Sequence, residues 1–429
     1  MSRVAVIGTG YVGLTTGACL AHLGHQVTCA DIDVAKVELL QSGRIPIYEQ
    51  GLEALVGEGL AAGRLDFLVG AATAAAGAEF VFLCVQTPQG ADGSADLQFV
   101  EQASAEIGPV LGSGAIVITK STVPVGSARV VERALARSDV AVVSNPEFLR
   151  EGQAVHDCLH PDRVVIGCDD QAAAAKVASL YQRLSAPIMV TDPATAETIK
   201  YACNAFLATK VSFINAIANL CQAVGADVRD VVLGMGYDKR IGFEFLKPGP
   251  GWGGSCFPKD SRALVRIAED AGYDFELLKG VIAVNDQQFR LLAARIGQLA
   301  GGTLDQAVIA VWGLTFKAGT DDLRDSPAIS VVSRLVDSGA TVKAYDPTVS
   351  GALPAHFDHL AIEVCDDPYA ACAGASVLAV LTEWDEFRWL DFAKVAATMA
   401  APVILDARNL LDPASLRRRG FTYQGLGRK

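Results

Sequence analysis

The chain has 429 residues, more than one hydrophobic core usually holds, so two or three domains are expected. Apolar residues make up 51% and charged residues 20% of the chain, which excludes disorder along most of its length. With 36 basic and 48 acidic residues the net charge is −12, so there is no broad electrostatic reason to bind nucleic acid or an anionic membrane.

The ten cysteines include no C-x-x-C pair. A strand pattern starts at Arg3, so no secretory signal is expected, and no apolar stretch is expected to span a bilayer. A reducing, cytoplasmic compartment is therefore expected, with most cysteines acting as small buried hydrophobes.

The first part of the chain alternates short apolar runs with helical patterns, one of them at 53–62. The predicted strands are 3–8, 26–31, 79–85, 115–119, 140–144 and 163–167. This alternation predicts an α/β lobe over 1–193, with a doubly wound parallel sheet covered by helices on both faces.

The middle of the chain has little strand signal and is predicted to be helical. A continuous helical pattern runs from 194 to about 224, and Gly225 is a plausible stop. Two more helices are predicted at about 258–271 and 275–298. The block 194–300 is therefore interpreted as a central helical domain with a long spine helix, which is a candidate dimer interface.

Strand and helix patterns alternate again from 301 to 429. Strands are predicted at 307–313, 341–346, 376–381 and 402–406, and helices near 326–338 and 385–398. The predicted fold is thus α/β, with two Rossmann-like doubly wound parallel-sheet lobes joined by the central helical domain.

A glycine motif follows the first strand. Residues 8–13, Gly-Thr-Gly-Tyr-Val-Gly, open a helix that runs to about Leu23, and the second strand then delivers Asp31. The glycines allow a tight turn and close approach of a pyrophosphate, and Asp31 can accept hydrogen bonds from a ribose diol. The acid disfavours a 2′-phosphate, so NAD is favoured over NADP, a preference that Lys36 weakens a little.

Polar loops follow three predicted strands of the first lobe, at 86–88, 120–124 and 144–152. Ligands of open α/β sheets bind at the carboxyl ends of strands, so these loops predict an active-site rim. The alternative for each residue taken alone is ordinary turn chemistry or a helix cap.

The most informative stretch is 251–260, Gly-Trp-Gly-Gly-Ser-Cys-Phe-Pro-Lys-Asp. Pro258 suits the first turn of a helix, which places Cys256 just before a helix N-terminus. The helix dipole and Lys259 favour a thiolate there, and Asp260 can reach towards the same space. Cys256 is interpreted as a nucleophile; the alternative is a buried structural thiol.

Two cationic features remain. Lys200 and Asn204, four residues apart, share a helix face, although a lone lysine there could also be a snorkelling surface residue. The turn 314–327 offers Lys317 and Arg324 to anionic groups, with Ser326 or Asp325 capping the next helix. Two nucleotide-style lobes suggest two nucleotides, one in each lobe.

Together these motifs resemble the UDP-glucose 6-dehydrogenases, within the wider UDP-glucose/GDP-mannose dehydrogenase superfamily. The resemblance covers nearly the whole chain, and its most specific part is residues 253–260, where Phe257 is similar to the UDP-glucose branch. It implies an NAD-dependent, four-electron oxidation of UDP-glucose to UDP-glucuronate through a thiohemiacetal and a thioester on Cys256.

The motifs and this resemblance give three sets of site residues, with no metal. The catalytic set is Cys256, Lys200, Asp260, Asn204, Glu147 and Thr122. The NAD set is Gly8, Gly10, Tyr11, Val12, Gly13, Asp31, Lys36, Thr87, Pro88, Thr122, Glu151, Lys259 and Arg324. The nucleotide-sugar set is Glu147, Phe148, Leu149, Arg150, Glu151, Lys200, Asn204, Arg240, Phe245, Leu246, Lys247, Pro248, Gly249, Gly253 and Lys317. The resemblance also implies a homodimer through the central helix, with Arg240 offered across the subunit interface.

Three alternatives compete with this interpretation. The first is the same chemistry on GDP-mannose, a UDP-hexosamine or a dTDP-sugar. The second is a two-electron NAD enzyme of the β-hydroxyacid type, which would need neither Cys256 nor the third lobe. The third is a nucleotide-binding regulatory protein without catalysis, which the set of Cys256, Lys200, Asp260 and Asn204 argues against.

Overall fold

The computed structural model describes residues 1–90 and 93–428, which divide into two units. The first contains Met1–Cys203 and Arg262–Tyr273, and the second contains Asn204–Ser261 and the chain from Asp274 onward. Two helices, Pro193–Val224 and Phe257–Asp270, have residues in each of the two units.

The first unit is built on an eight-stranded sheet with the order β3-β2-β1-β4-β5-β6-β7-β8. Its strands are β1 Arg3–Ile7, β2 Gln26–Asp31, β3 Leu65–Val69, β4 Phe80–Leu83, β5 Ile116–Thr119, β6 Ala141–Ser144, β7 Val164–Gly167 and β8 Ile188–Thr191. The predicted parallel sheet is confirmed with one exception: β6 and β7 pair antiparallel at Ser144 and Gly167, which makes the sheet mixed.

Helices cover both faces of this sheet, as predicted. They are α1 Tyr11–His22, α2 Val34–Gln41, α3 Leu52–Ala61, α4 Ala71–Ala75, α5 Gln98–Ile107, α6 Ser127–Leu135, α7 Ala154–Leu159 and α8 Gln171–Leu180. Successive residues of a strand point to opposite faces, so Val4 and Val6 of β1 enter one core while Ala5 and Ile7 enter the other.

The middle of the chain is helical, as predicted. Its helices are α9 Pro193–Val224, α10 Val228–Gly236, α11 Phe257–Asp270 and α12 Glu276–Leu299; α10 was not predicted. Contrary to the sequence-based expectation, α9 is long and apolar enough to cross a membrane by length and composition alone. A single such helix is weak evidence, because a long helix of a water-soluble protein passes the same test.

The second unit carries a six-stranded sheet with the order β11-β10-β9-β12-β13-β14, parallel in each of its pairs. Its strands are β9 Val308–Trp312, β10 Thr341–Tyr345, β11 Ile362–Val364, β12 Val377–Val380, β13 Val403–Asp406 and β14 Thr422–Gly425. Besides α10 and α12, this unit contains α13 Pro327–Asp337, α14 Pro368–Ala371, α15 Phe392–Thr398 and α16 Pro413–Arg418. The two Rossmann-like lobes of the predicted fold are therefore present.

One predicted helix is wrong, and four strands were missed. Residues 385–398 form a 3-10 helix, Asp385–Trp389, and then α15, because Asp391 starts a new helix by accepting hydrogen bonds from the N–H groups of Ala393 and Lys394. The strands missed from the sequence are β3, β8, β11 and β14, the outermost strands of the two sheets.

Candidate active site

The glycine turn after β1 has the tight geometry that its sequence predicts. Gly8 has a φ of +95°, and a Cβ on it would lie 2.7 Å from the carbonyl oxygen of Cys84. A Cβ on Gly13 would lie 1.9 Å from the carbonyl oxygen of Gly8, so α1 packs this closely only with glycine there. A Cβ on Gly10 would meet no described atom within 4 Å, which leaves open space before the first amides of α1. The turn is therefore a cradle that fits a pyrophosphate.

Asp31 ends β2 and is anchored to this turn. Its Oδ2 accepts hydrogen bonds from the backbone N–H of Thr9 (2.9 Å) and from the Thr9 hydroxyl (2.6 Å). Lys36 Nζ lies 2.9 Å from the same oxygen. Burial raises the pKa of Asp31, but the bonds from Thr9 and Lys36 outweigh burial and lower the pKa to about 2. The carboxylate is therefore ionised and held in place, with part of its charge offset by Lys36.

Two of the polar loops meet at the carboxyl edge of the first sheet. β4 and β5 are parallel neighbours, and the Thr87 hydroxyl donates a hydrogen bond to the Thr122 carbonyl oxygen at 2.9 Å. The loop after β4 closes where the Asp96 N–H donates to the Pro88 carbonyl oxygen at 2.8 Å. The structure thus brings together two residues that the sequence assigned to one rim.

The third polar loop supplies one half of a buried ion pair. Lys200 Nζ of α9 lies 2.8 Å from Glu147 Oε1, and each side chain is 5% exposed. The Leu149 N–H donates to Glu147 Oε2 at 2.6 Å, and Lys200 Nζ lies 5.5 Å from the centroid of the Phe148 ring. Burial raises the pKa of Glu147, but the charge of Lys200 outweighs it, so the pKa is lowered. Lys200 is therefore not a snorkelling surface lysine.

The same loop is anchored at its start by a second buried lysine that the sequence analysis did not assign. Lys120 Nζ donates to Asn145 Oδ1 at 3.0 Å, and the Tyr181 hydroxyl donates to the same oxygen at 2.5 Å. Asn145 Nδ2 donates to the Val165 carbonyl oxygen at 2.7 Å. Burial lowers the pKa of Lys120. These bonds fix the backbone two residues before Glu147.

The later part of this loop is tied down on both sides. The Arg150 guanidinium pairs with Asp157 at 2.6 Å. On the other side, the Gly152 N–H donates to Glu49, a buried acid that the sequence analysis also missed and that also bonds to the Tyr11 hydroxyl at the start of α1. Glu151, assigned to both ligands, is half-buried and lies within the segment that these two contacts hold.

The second unit contains Cys256, placed directly before α11 as predicted. Its thiol is half-buried, and Ser255 Oγ lies 3.5 Å from its Sγ. Its carbonyl oxygen accepts the Asp260 N–H at 2.8 Å, which starts the first turn of the helix. The positive end of the helix dipole therefore lies at the thiol, where it stabilises a thiolate.

Asp260 is the most buried acid of this group, with 1% of its surface exposed. Asn204 Nδ2 donates to its Oδ2 at 2.7 Å, and Lys259 Nζ lies 2.8 Å from its Oδ1. Asn204 thus forms a hydrogen bond with one carboxylate oxygen, and Lys259 forms an ion pair with the other. The structure brings Asn204, Lys259 and Asp260 together.

The predicted sugar-nucleotide loop 245–249 is held by amide side chains. Asn215 Oδ1 accepts the Gly249 N–H at 2.8 Å, and Gln288 Nε2 donates to the Gly249 carbonyl oxygen at 2.9 Å. Leu246 is buried, and Phe245 adopts a φ of +61°. The loop is therefore fixed in position by the helices α9 and α12.

The glycines before Cys256 pack against the turn 314–327. A Cβ on Gly253 would lie 2.1 Å from the carbonyl oxygen of Asp325, and one on Gly254 would lie 2.9 Å from the Phe316 ring. Lys317 Nζ lies 5.5 Å from the centroid of that ring. Ser326 caps α13, as one of the two predicted options. The cysteine loop and the cationic turn therefore meet, which the sequence did not show.

Three arginines of the second unit differ in placement. Arg240 is 88% exposed beside Asp238, and Arg324 pairs with Asp322 at 2.8 Å. Arg408, which the sequence analysis missed, donates to the Phe316 carbonyl oxygen at 2.8 Å and lies 3.1 Å from where a Cβ on Gly249 would be. Its place directly after β13, at the carboxyl edge of a parallel sheet, is the signal that could have found it.

Family comparisons match this organisation. Residues 2–185 match the NAD binding domain of the UDP-glucose/GDP-mannose dehydrogenase family, residues 194–287 its central domain, and residues 310–413 its UDP binding domain. The chain belongs to the UDP-glucose/GDP-mannose dehydrogenase family. It is an NAD-binding dehydrogenase, and the glycine turn of its first lobe fits that cofactor.

Named relatives cover the full length of the chain. A UDP-glucose 6-dehydrogenase of Rhizobium meliloti is 47% identical over 436 residues, which cover 99% of each chain. A UDP-glucose dehydrogenase structure from Pyrobaculum islandicum has a TM-score of 0.92 at 36% identity, covering 100% of this chain and 98% of that one. A UDP-D-ManNAc dehydrogenase structure from Pyrococcus horikoshii has a TM-score of 0.88 at 29% identity, covering 99% of each.

Proposed function

We propose that this chain oxidises the C6 alcohol of UDP-glucose to the carboxylate of UDP-glucuronate, using two NAD molecules. Relatives between 39% and 47% identical over the full length are named UDP-glucose 6-dehydrogenases. The observation in this chain that carries the proposal is Cys256 at the N-terminus of α11. Oxidation of an alcohol to an aldehyde needs no nucleophile, whereas oxidation of the aldehyde proceeds through a covalent adduct.

The cofactor is assigned to the glycine turn and the polar rim of the first unit. The assigned residues are Gly8, Gly10, Tyr11, Val12, Gly13, Asp31, Lys36, Thr87, Pro88, Thr122, Glu151, Lys259 and Arg324. When bound, NAD accepts the hydride that is removed in each oxidation. The chain's own part is to present backbone amides to the phosphates and the Asp31 carboxylate to a ribose.

Cys256 is assigned as the nucleophile of the second oxidation. Its thiolate adds to the aldehyde carbon, and the carbonyl electron pair moves to oxygen, which gives a thiohemiacetal. The C6 hydride then leaves to the second NAD, the oxygen electron pair re-forms the C=O bond, and a thioester remains. Water then attacks the thioester, the carbon–sulfur bond breaks, and the thiolate is restored with release of the acid. This cycle requires a reduced thiol, so we also propose a cytoplasmic location.

The buried polar groups are assigned to charge and proton handling. Lys200, held by Glu147, supplies a preorganised ammonium for developing oxyanions. Asp260 exchanges protons in the second unit, and Asn204 fixes its orientation by the 2.7 Å hydrogen bond. Thr122 and Glu147 are assigned to hold the water that serves as a proton carrier.

The residues assigned to the nucleotide sugar are those that the family resemblance implies. They are Glu147, Phe148, Leu149, Arg150, Glu151, Lys200, Asn204, Phe245, Leu246, Lys247, Pro248, Gly249, Gly253 and Lys317, with Arg240 offered by a second subunit. The fixed loop 245–249 and the basic side chain of Lys317 support a site for a nucleoside diphosphate.

The chain is proposed to form a homodimer through α9. Phe206, Phe213 and Leu220 follow one another at seven-residue spacing, which places them along one helix face. They are 64%, 51% and 55% exposed. Burying this stripe against the same helix of a second copy would remove it from water. Sedimentation of the parent and of Phe213→Glu checks this: the parent should be a dimer and the variant a monomer.

Product stoichiometry tests the reaction. Each UDP-glucose consumed should yield two NADH, and Cys256→Ser should bind the sugar but stop at the aldehyde or at a slow adduct. Cys221→Ser, a buried thiol in α9, is the matched control and should keep the two-NADH yield. Turnover of UDP-N-acetylhexosamine, GDP-mannose or dTDP-glucose in place of UDP-glucose would reassign the substrate. UDP-glucuronate formation by Cys256→Ser at near the parent rate would refute the mechanism.

A further inference from the structure

Glu49 is a buried carboxylate for which the proposed reaction provides no role. It lies between α2 and α3 and is 6% exposed. Its Oε2 accepts the Gly152 N–H at 2.7 Å and also bonds to the Tyr11 hydroxyl, and its Oε1 accepts the Val155 N–H at 3.4 Å. Three chain segments that are far apart in the sequence therefore meet at this one side chain.

The contacts form a closed set around the Tyr11 hydroxyl. The Gly152 N–H also lies 2.6 Å from the Tyr11 oxygen, so this amide is shared between Glu49 and Tyr11. Burial and the hydrogen bond to Glu49 raise the pKa of Tyr11, which keeps the phenol protonated and able to donate. We name the group Glu49, Tyr11 and Gly152 the Glu49 clasp.

The clasp joins the two parts of the first unit that face the cofactor in the proposed function. Tyr11 lies inside the glycine turn, between Gly10 and Gly13. Gly152 follows Glu151 in the loop after β6, and has a φ of +78°. No strand pairing joins the two segments; α7, which follows the loop, packs against α1, and the clasp adds hydrogen bonds at the loop itself.

We propose that Glu49 is a positioning residue for NAD binding, which fastens the loop of Glu151 and Gly152 to Tyr11 so that turn and loop bind the cofactor as one unit. The proposal rests on the assignment of Tyr11 and Glu151 to the cofactor in the proposed function. Glu49 touches neither ligand in this scheme; it acts through the two segments that it connects. An ordered loop would bind more tightly because less conformational freedom is lost on binding.

The experiment compares Glu49→Ala, Glu49→Gln, Tyr11→Phe and the Tyr11→Phe/Glu49→Ala double variant with the parent. Glu58→Ala is the matched control, since Glu58 is a half-exposed acid of α3 that pairs with Arg64. NADH binding is measured by fluorescence titration, and amide hydrogen exchange of residues 150–157 is followed in the protein without ligands. KM for NAD and kcat are then measured with UDP-glucose.

Glu49→Ala should raise the Kd of NADH about 10-fold or more and speed exchange of the Gly152 and Val155 amides. Glu49→Gln keeps an acceptor oxygen and should recover part of the affinity. Tyr11→Phe should weaken binding less, and the double variant should be no weaker than Glu49→Ala, because both changes break one clasp. The kinetic effect should fall on KM for NAD more than on kcat.

Unchanged NADH affinity in Glu49→Ala and Glu49→Gln, or effects of Tyr11→Phe and Glu49→Ala that multiply in the double variant, would overturn the proposal. If Glu49→Ala fails to fold, Glu49→Gln and Tyr11→Phe still decide it through the same titration and exchange data. A parent protein that binds NADH but does not oxidise UDP-glucose would refute the proposed substrate and leave the clasp intact. A parent that does not bind NADH would refute the assignment on which both rest.

Discussion

Removing Glu147 should destabilise the first unit by far more than removal of a surface acid. Glu147→Gln leaves the Lys200 ammonium buried at 5% exposure, 2.8 Å from a side chain that no longer carries a charge. Breaking a buried ion pair by removing one partner costs about 3–5 kcal/mol, because the other charge stays without compensation. That is a large share of the roughly 5–15 kcal/mol by which folded domains are stable.

Urea unfolding of the parent, Glu147→Gln, Lys200→Met and the double variant measures this cost. Both single variants should unfold at lower urea, and the double variant should regain part of the loss, because it buries no unpaired charge. Glu132→Gln is the control: Glu132 pairs with Arg129 at 2.8 Å on the surface, where both side chains are exposed, and the midpoint should barely change.

Acid should erase the difference between parent and Glu147→Gln. The pKa of Glu147 is lowered in the folded chain relative to an ordinary value of about 4.3. The ion pair therefore contributes its full stabilisation of the folded chain when the pH is above that ordinary pKa. The stabilisation is lost as the pH falls through the lower folded value. Equal urea midpoints for parent and Glu147→Gln at pH 7 would refute this reasoning.

Lys200→Met should also reduce kcat roughly 10²–10³-fold, as loss of one oxyanion donor does.

Three further changes have expected outcomes. The parent should prefer NAD over NADP by about 10-fold or more in kcat/KM, and Asp31→Asn should reduce that preference. Equal kcat/KM values for the two cofactors in the parent would show that Lys36 overrides the acid. Gly13→Ala should raise the Kd of NADH more than about 10-fold, because its Cβ would lie 1.9 Å from the Gly8 carbonyl oxygen. Glu197→Ala should lower the free energy of unfolding by about 3 kcal/mol, and the urea midpoint with it, since it strands the N–H groups of Gly126 and Ala128 and the Ser144 hydroxyl. An unchanged midpoint would show that water replaces the carboxylate.

Errors in the predicted elements fall where local signals are weakest. β8 has four residues at the edge of its sheet, and Ile188, Met189 and Val190 are exposed, so it lacks the buried apolar run of a central strand. In β3 the exposed Asp66 interrupts the buried apolar residues, and β3 is also an edge strand. The single helix predicted at 385–398 is broken where Asp391 caps the start of α15. An apolar helical pattern on both sides of Asp391 conceals this break in the sequence.

The sequence by itself determined the features whose geometry is local. The turn of Gly8, Gly10 and Gly13 is set by backbone sterics within six residues, and Cys256 meets the dipole of the helix that begins at the next residue. Spacing along the chain is enough to predict such features, because the interacting atoms are joined by a few bonds. The same holds for Asp31 at the end of β2.

Tertiary structure alone decided which side chains the buried charges meet. Glu147 pairs with Lys200 across 53 residues, Asn204 reaches Asp260 across 56, and Glu49 reaches Gly152 across 103. A buried carboxylate must find donors wherever the packed chain brings them, because burial without a partner costs more than the bond returns. No spacing rule encodes that meeting, so Lys200 has the sequence signature of a surface lysine and becomes a buried ammonium only when α9 packs against the loop after β6.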